Sequence, residues 1–191
     1  MISIELLRRY PFFAGFTCEQ TDDLAQFAEE ITVKADHQFI SEGERLTNFF
    51  LVLEGTVGVI IKVPDKGIEQ SLTRHITNNF ITRDVTVSTV DEGEIFGWSA
   101  LIPPNISTAN AKALTSCRVL VFDYQELQPI INEDCCFGHL LTLRAAQTIR
   151  DRLRDRHIES LAEKVMQISS YLIPALEIKC AFSLQLWIQL S

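Results

Sequence analysis

Residues 96–111, FGWSALIPPNISTANA, gather groups that could hold a small molecule. Gly97 offers a tight turn, and the SAL that follows can start a short helix whose unpaired amides attract an anion. Ser99, Ser107, Thr108 and Asn110 add donors nearby, and the Trp98 indole offers a face for stacking a ring. The stretch looks like a phosphate-cradling turn and helix, yet it contains no Lys, Arg, Asp or Glu to grip a charged ligand.

Other chemistries find less support. A metal centre of the cupin type needs two or three histidines and a carboxylate converging from neighbouring strands. His37, His75, His139 and His157 are dispersed, with no HxH or HxxxH spacing, so surface roles are expected, no metal ligand is assigned and a cupin-like metal protein is the weaker alternative. No GxSxG or P-loop is present, so no catalytic residue is assigned and a non-enzymatic protein is expected. Cys18, Cys117, Cys135, Cys136 and Cys180 are odd in number and lack CxxC spacing, which favours free thiols in a reducing compartment.

The net charge of -8 opposes non-specific attraction to nucleic acid. The one dense basic cluster, IRDRLRDRH at 149–157, alternates Arg with Asp and reads as a solvated helix face. The opening MISIELLRRYPFFAGF lacks the basic start, apolar stretch and cleavage site of a secretory signal. No window of about 18 uninterrupted apolar residues occurs. The expectation is a cytoplasmic protein without nucleic-acid partner or membrane span.

The elements that must position residues 96–111 follow from periodicity. The length of 191 residues suits one domain with a tail. Ile4 to Tyr10 can form a short helix ended by Pro11. Thr17 and Gln20 have capping-box spacing, with Leu24, Phe27 and Ala28 on one face of the helix they would start. From Ile31 the pattern becomes seven short strands: ITVKA, QFISEGE, NFFLVLEG, TVGVIIKV, VTVSTVDEGE, AKALTS and CRVLVFD. Gly43, Gly55 and Gly93 each follow an acidic residue and are expected in turns of positive φ, without a ligand role. Residues 64–83 read as an extended hairpin connection. The predicted fold is mainly β with flanking helices, an antiparallel sandwich or barrel.

YQELQPIINED then predicts a short helix, and the chain beyond it a long one. Leu141, Ala145, Ile149 and Leu153, then Leu161, Val165, Ile168 and Leu172, give the long helix a narrow apolar stripe suited to pairing subunits, while its first turns suit the barrel equally. Pro174 is expected to end it. LEIKCAFSLQLWIQL alternates strictly and predicts an added strand. The divisions are therefore 1–133 for the barrel with its N-terminal helices, 134–173 for a dimerising helix, and 174–191 for the tail.

The order of helix, barrel, short helix and long helix, carried by FISEGE with FFLVLEGTVGVI, then VDEGEIFGWSAL, then AKALTSCRVLVFDYQEL, resembles the cyclic nucleotide-binding domain of bacterial transcription regulators, protein kinase regulatory subunits and gated ion channels. The match runs from about Leu7 to about Leu161. It implies a double-stranded β-helix, or jelly roll, with N-terminal helices and a long C-terminal helix, acting as a regulatory sensor. It also implies a ligand cassette: a Phe-Gly-Glu turn, a one-turn helix, and an Arg before the next strand. Phe96, Gly97, Trp98, Ser99, Ala100, Leu101, Ser107 and Thr108 take those places here.

Trp98 stands where the resemblance implies the Glu that accepts the ribose hydroxyl, and Ser107 where it implies the Arg that meets the phosphate. Indole nitrogen only donates. Hydrogen bonds to charged groups contribute about 1.5–3 kcal/mol against roughly 1 for neutral ones, so two such losses weaken a cyclic nucleotide by on the order of a hundredfold. The expected ligand is a weakly held cyclic nucleotide, another small anion, or none, with the cassette amides for a phosphate and Ser107 as a weak substitute for Arg. The expected partner is a second copy through 141–172. A dimeric scaffold or partner-binding protein is the alternative, and too little chain follows the long helix for a helix-turn-helix.

Overall fold

The computed structural model describes residues 2–64 and 82–188, with positions 163, 165 and 167–188 given by their backbone. Ser3 accepts the Leu6 amide and starts α1 (Ile4–Leu7), and Pro11–Phe13 forms a single 3₁₀ turn. α2 (Cys18–Gln26) begins at the capping box, Gln20 N donating to Thr17 Oγ1 at 3.2 Å and Thr17 N to Gln20 Oε1 at 3.1 Å. The helix stops before Ala28, which opens β1 (Ala28–Val33) opposite Phe122. A strand partner for its backbone outweighs the helical spacing that had grouped Ala28 with Leu24.

The other strands are β2 (Gln38–Ile40), β3 (Asn48–Glu54), β4 (Val57–Pro64), β5 (Thr82–Val90), β6 (Ile95–Phe96), β7 (Asn110–Ala113) and β8 (Cys117–Asp123). They make two antiparallel four-stranded sheets, β1-β8-β3-β6 and β2-β7-β4-β5, the jelly roll expected from the sequence. All seven predicted runs contribute a strand. The eighth, β6, is two residues long and too short to show a period. β4 and β5 pair from Val57↔Val90 to Pro64↔Thr82, so they are the arms of a hairpin. The connection predicted at 64–83 lies, for 65–81, outside the described residues. Gly43, Gly55 and Gly93 do adopt positive φ. Only glycine serves at Gly55, where a Cβ would strike the Ser116 carbonyl oxygen.

β3 is buried over five consecutive residues because both of its faces are covered. Phe50 faces the interior between the sheets and stacks on its register partner Phe96 at 4.7 Å, with Phe39 on the same cluster. Phe49 faces the other way, stacks on Phe122 at 4.8 Å and meets Phe12. Phe13, in contact with Phe122, passes this second layer to Phe16, and Phe16 passes it to Phe137.

α3 (Tyr124–Glu133) is capped by Asp123, and α4 (Cys135–Ile188) follows at once. Asp134 Oδ1 accepts the amides of Cys136 at 2.9 Å and Phe137 at 3.1 Å, while Oδ2 accepts from Gln20 Nε2 at 2.7 Å. One carboxylate thus caps α4 and ties it to α2. The chain forms two compact units, Met1–Ala146 and Gln147–Ser191. Phe137, Leu141 and Ala145 are buried in the first, so the opening turns of α4 belong to the barrel unit. Within the second, Leu153, Ile158, Leu161 and Met166 are 56–69% exposed.

The expected stop at Pro174 and the added strand at 174–191 are corrected: α4 continues through Pro174 to Ile188. A helix pairs nearly all of its backbone groups within itself, whereas a lone strand leaves a ladder of donors and acceptors unpaired. Proline inside a helix removes one of those bonds at a cost of about 3 kcal/mol, so it ends a helix only where the chain has a better alternative.

Candidate ligand-binding cassette

Phe96 ends β6, and Gly97 turns the chain with φ 76°. A Cβ at Gly97 would come within 3.0 Å of the Asn48 carbonyl oxygen and 3.1 Å of the Phe50 ring, so glycine is needed both for the turn and for the close approach to β3. Trp98–Ala100 then forms a 3₁₀ turn. Asn105 holds it closed from the far side, its Nδ2 donating to the carbonyls of Ala100 at 2.8 Å and Ser99 at 3.2 Å, while its own carbonyl accepts the Leu46 amide at 2.7 Å.

Ser107 lies on the return into β7. Its amide donates to Glu44 O at 2.8 Å, and its carbonyl accepts the Gly43 amide at 2.9 Å. Its buried hydroxyl donates to the Ala109 carbonyl at 2.6 Å. That proton is therefore engaged inside the turn.

These segments border a cavity of about 80 Å³. Six predicted residues line it: Phe96, Gly97, Trp98, Ser99, Ser107 and Thr108. Ala100 and Leu101 do not; their side chains are buried in the core. The expectation that the cassette amides serve a phosphate needs correction at Ala100, whose amide donates to Gly97 O at 3.0 Å within the 3₁₀ turn. The Ser99 carbonyl accepts from Asn105 and from the Ile102 amide, while its hydroxyl has no hydrogen-bond partner among the described residues. The remaining walls come from Ile40 on β2, Leu46 before β3, Val59 on β4, and Ala109, Asn110 and Ala111 leading along β7. Among the described residues no charged side chain lines the cavity.

A second, open cleft of about 680 Å³ borders exposed Lys62 and Asp84, with Lys112, Glu42 and Asn110. Lys112 is engaged by Asp36 at 2.7 Å. Among the described residues no group of three His, Cys, Asp or Glu could hold a metal ion. His37, His139 and His157 are exposed, and His75 lies outside the described residues. Cys18, Cys117, Cys135 and Cys136 are free thiols, with Cys117 buried. No helix among the described residues is long and apolar enough to cross a membrane.

A jelly roll that closes over a glycine turn, a one-turn helix and a returning strand defines a regulatory, ligand-sensing class of barrel. The chain belongs to the cyclic nucleotide-binding domain family, whose model matches residues 30–134. Among solved structures it is similar to a Geobacter metallireducens protein named for cyclic nucleotide binding, at 30% identity over 80% of this chain and 99% of that one, with TM-score 0.64. A cyclic nucleotide-binding domain from Methylobacillus flagellatus shares 21% identity over 84% of this chain and 81% of that one, with TM-score 0.65. The Thermus thermophilus catabolite activator protein shares 19% over 78% of this chain and 61% of that one, with TM-score 0.55. The latter two likenesses show the fold alone. No curated protein matches the sequence.

Proposed function

We propose that the chain is a non-enzymatic, cytoplasmic sensor module that keeps the frame of the family's cassette while lacking its grip on a cyclic nucleotide. The observation that carries this reading is the state of Ser107: it stands where the family pattern has Arg, and its hydroxyl proton is used on Ala109 O. Trp98 leaves the sugar side without an acceptor carboxylate. A cyclic phosphate entering a cavity without a cation would lose hydration and gain no counter-charge.

The long helix is the output element of this reading, and a second copy of the chain is its partner. Leu141 and Ala145 are covered by the barrel unit, so the pairing stripe begins near Leu153. Nucleic acid is not a partner in this reading: the chain carries a net charge of -8, and in the one basic cluster Arg150 and Arg154 are engaged by Asp151 and Asp155.

Calorimetric titration with cyclic AMP and cyclic GMP tests the cassette. The wild-type chain is expected to show no saturation at micromolar ligand, and the double variant Trp98→Glu/Ser107→Arg is expected to gain on the order of a hundredfold in affinity. Micromolar binding by the wild type would refute the proposal.

A further inference from the structure

The walls of the cassette cavity point to a class of guest. Ile40, Leu46, Val59 and Phe96 present carbon to it, and among the described residues no side chain that titrates lines it. Two of its polar side chains are engaged elsewhere. Ser107 donates to Ala109 O, while Asn110 donates to Ile60 O at 3.3 Å and accepts the Glu42 amide at 3.0 Å. Ser99 keeps an uncommitted hydroxyl among the described residues. An ion would lose hydration here and meet no opposite charge among the described lining side chains. A neutral, mainly apolar guest instead gains contact with walls that water wets poorly.

Size narrows the class. Apolar cavities of roughly 150 Å³ take up benzene, and the 80 Å³ here is a smaller void. Its rim is formed by exposed Thr108 and by Trp98 and Ser99, which are only half-buried, so the cavity opens to solvent and a guest need not fit wholly within it.

We infer that this cassette receives a small neutral molecule: a flat apolar body no larger than a single aromatic ring, with at most one polar group, stacked on Trp98 and hydrogen-bonded at Ser99. The inference rests on the proposed loss of the nucleotide grip, and the experiment separates the two. The full chain is titrated with phenol, benzene, cyclic AMP and inorganic phosphate while the indole N–H signals are followed by NMR, Trp98→Phe distinguishing Trp98 from Trp187.

Phenol is expected to saturate the Trp98 signal with a Kd of roughly 0.1–1 mM and benzene to bind about threefold more weakly. Val59→Phe, which fills the void, should weaken phenol at least about tenfold with cooperative melting retained. Ser99→Ala should erase phenol's advantage over benzene. Failure of both phenol and benzene to saturate at about 10 mM overturns this inference and leaves the lost nucleotide grip standing. Displacement of phenol by phosphate overturns the neutral class, and micromolar saturation by cyclic AMP overturns both readings. Should Val59→Phe unfold, the Ser99→Ala and phosphate arms still decide.

Discussion

In the proposed reading a serine stands in place of a guanidinium, and it does more than subtract a charge. The Ser107 hydroxyl closes its own turn on Ala109 O, so the position has become part of the frame that shapes β7. Ser107→Ala should therefore lower the unfolding free energy by about 1 kcal/mol in urea titration, the typical net value of a buried hydrogen bond. Gly97→Ala should be worse, at about 1–3 kcal/mol, because it forces a Cβ at positive φ towards Asn48 O. Of the eight residues expected in the cassette, Phe96–Ser99 line the cavity from the glycine turn, and Ser107 and Thr108 line it from the return into β7, a position the family's spacing supplied. Ala100 and Leu101 adjoin the turn but point into the core as the 3₁₀ turn closes. Ile40, Leu46 and Val59 come from distant strands, and nothing local in the sequence says which inward positions meet the turn.

At the scale of elements, the junction between α2, α3 and α4 depends on Asp134. Its carboxyl is held below the usual carboxylate range, chiefly by the hydrogen bond from the Gln20 side chain and then by the Phe137 amide, with partial burial opposing them. A lowered folded value means that the ionised cap stabilises the protein above its unfolded pKa near ~3.9 and that this stability is lost as pH falls through the folded value. Urea midpoints measured from about pH 2 to 6 should therefore fall more steeply on acidification for the wild type than for Asp134→Asn. At neutral pH, Asp134→Ala should lower Tm by roughly 5 °C through loss of the cap. The capping box at Thr17 and Gln20 could be read from spacing alone, but its link to Asp134 spans most of the barrel and left no sequence signal. The tail misled for a different reason. Strict alternation indicates a strand only where an edge is waiting, and Pro174 ends a helix only where the chain has somewhere better to go.

For the whole molecule, the fold was legible because its signals are many and ordered: alternating runs, glycines at turns and a capped entry helix all specify one barrel. Assembly is the property that remains to be measured. Leu153→Asp/Leu161→Asp, placed on the exposed stripe of α4, should reduce the mass seen by light scattering from that of a dimer to that of a monomer without changing the barrel's melting. The layered phenylalanines add a constraint of their own. β3 is a partition one residue thick: Phe50 furnishes the room behind the cassette, and Phe49 furnishes the room where the base of the long helix is seated. Because strand side chains alternate, inserting one residue ahead of this pair would exchange the two rooms' contents at once. The wall between the cassette and the base of the long helix is therefore also the place where a change of a single residue in chain length would undo both.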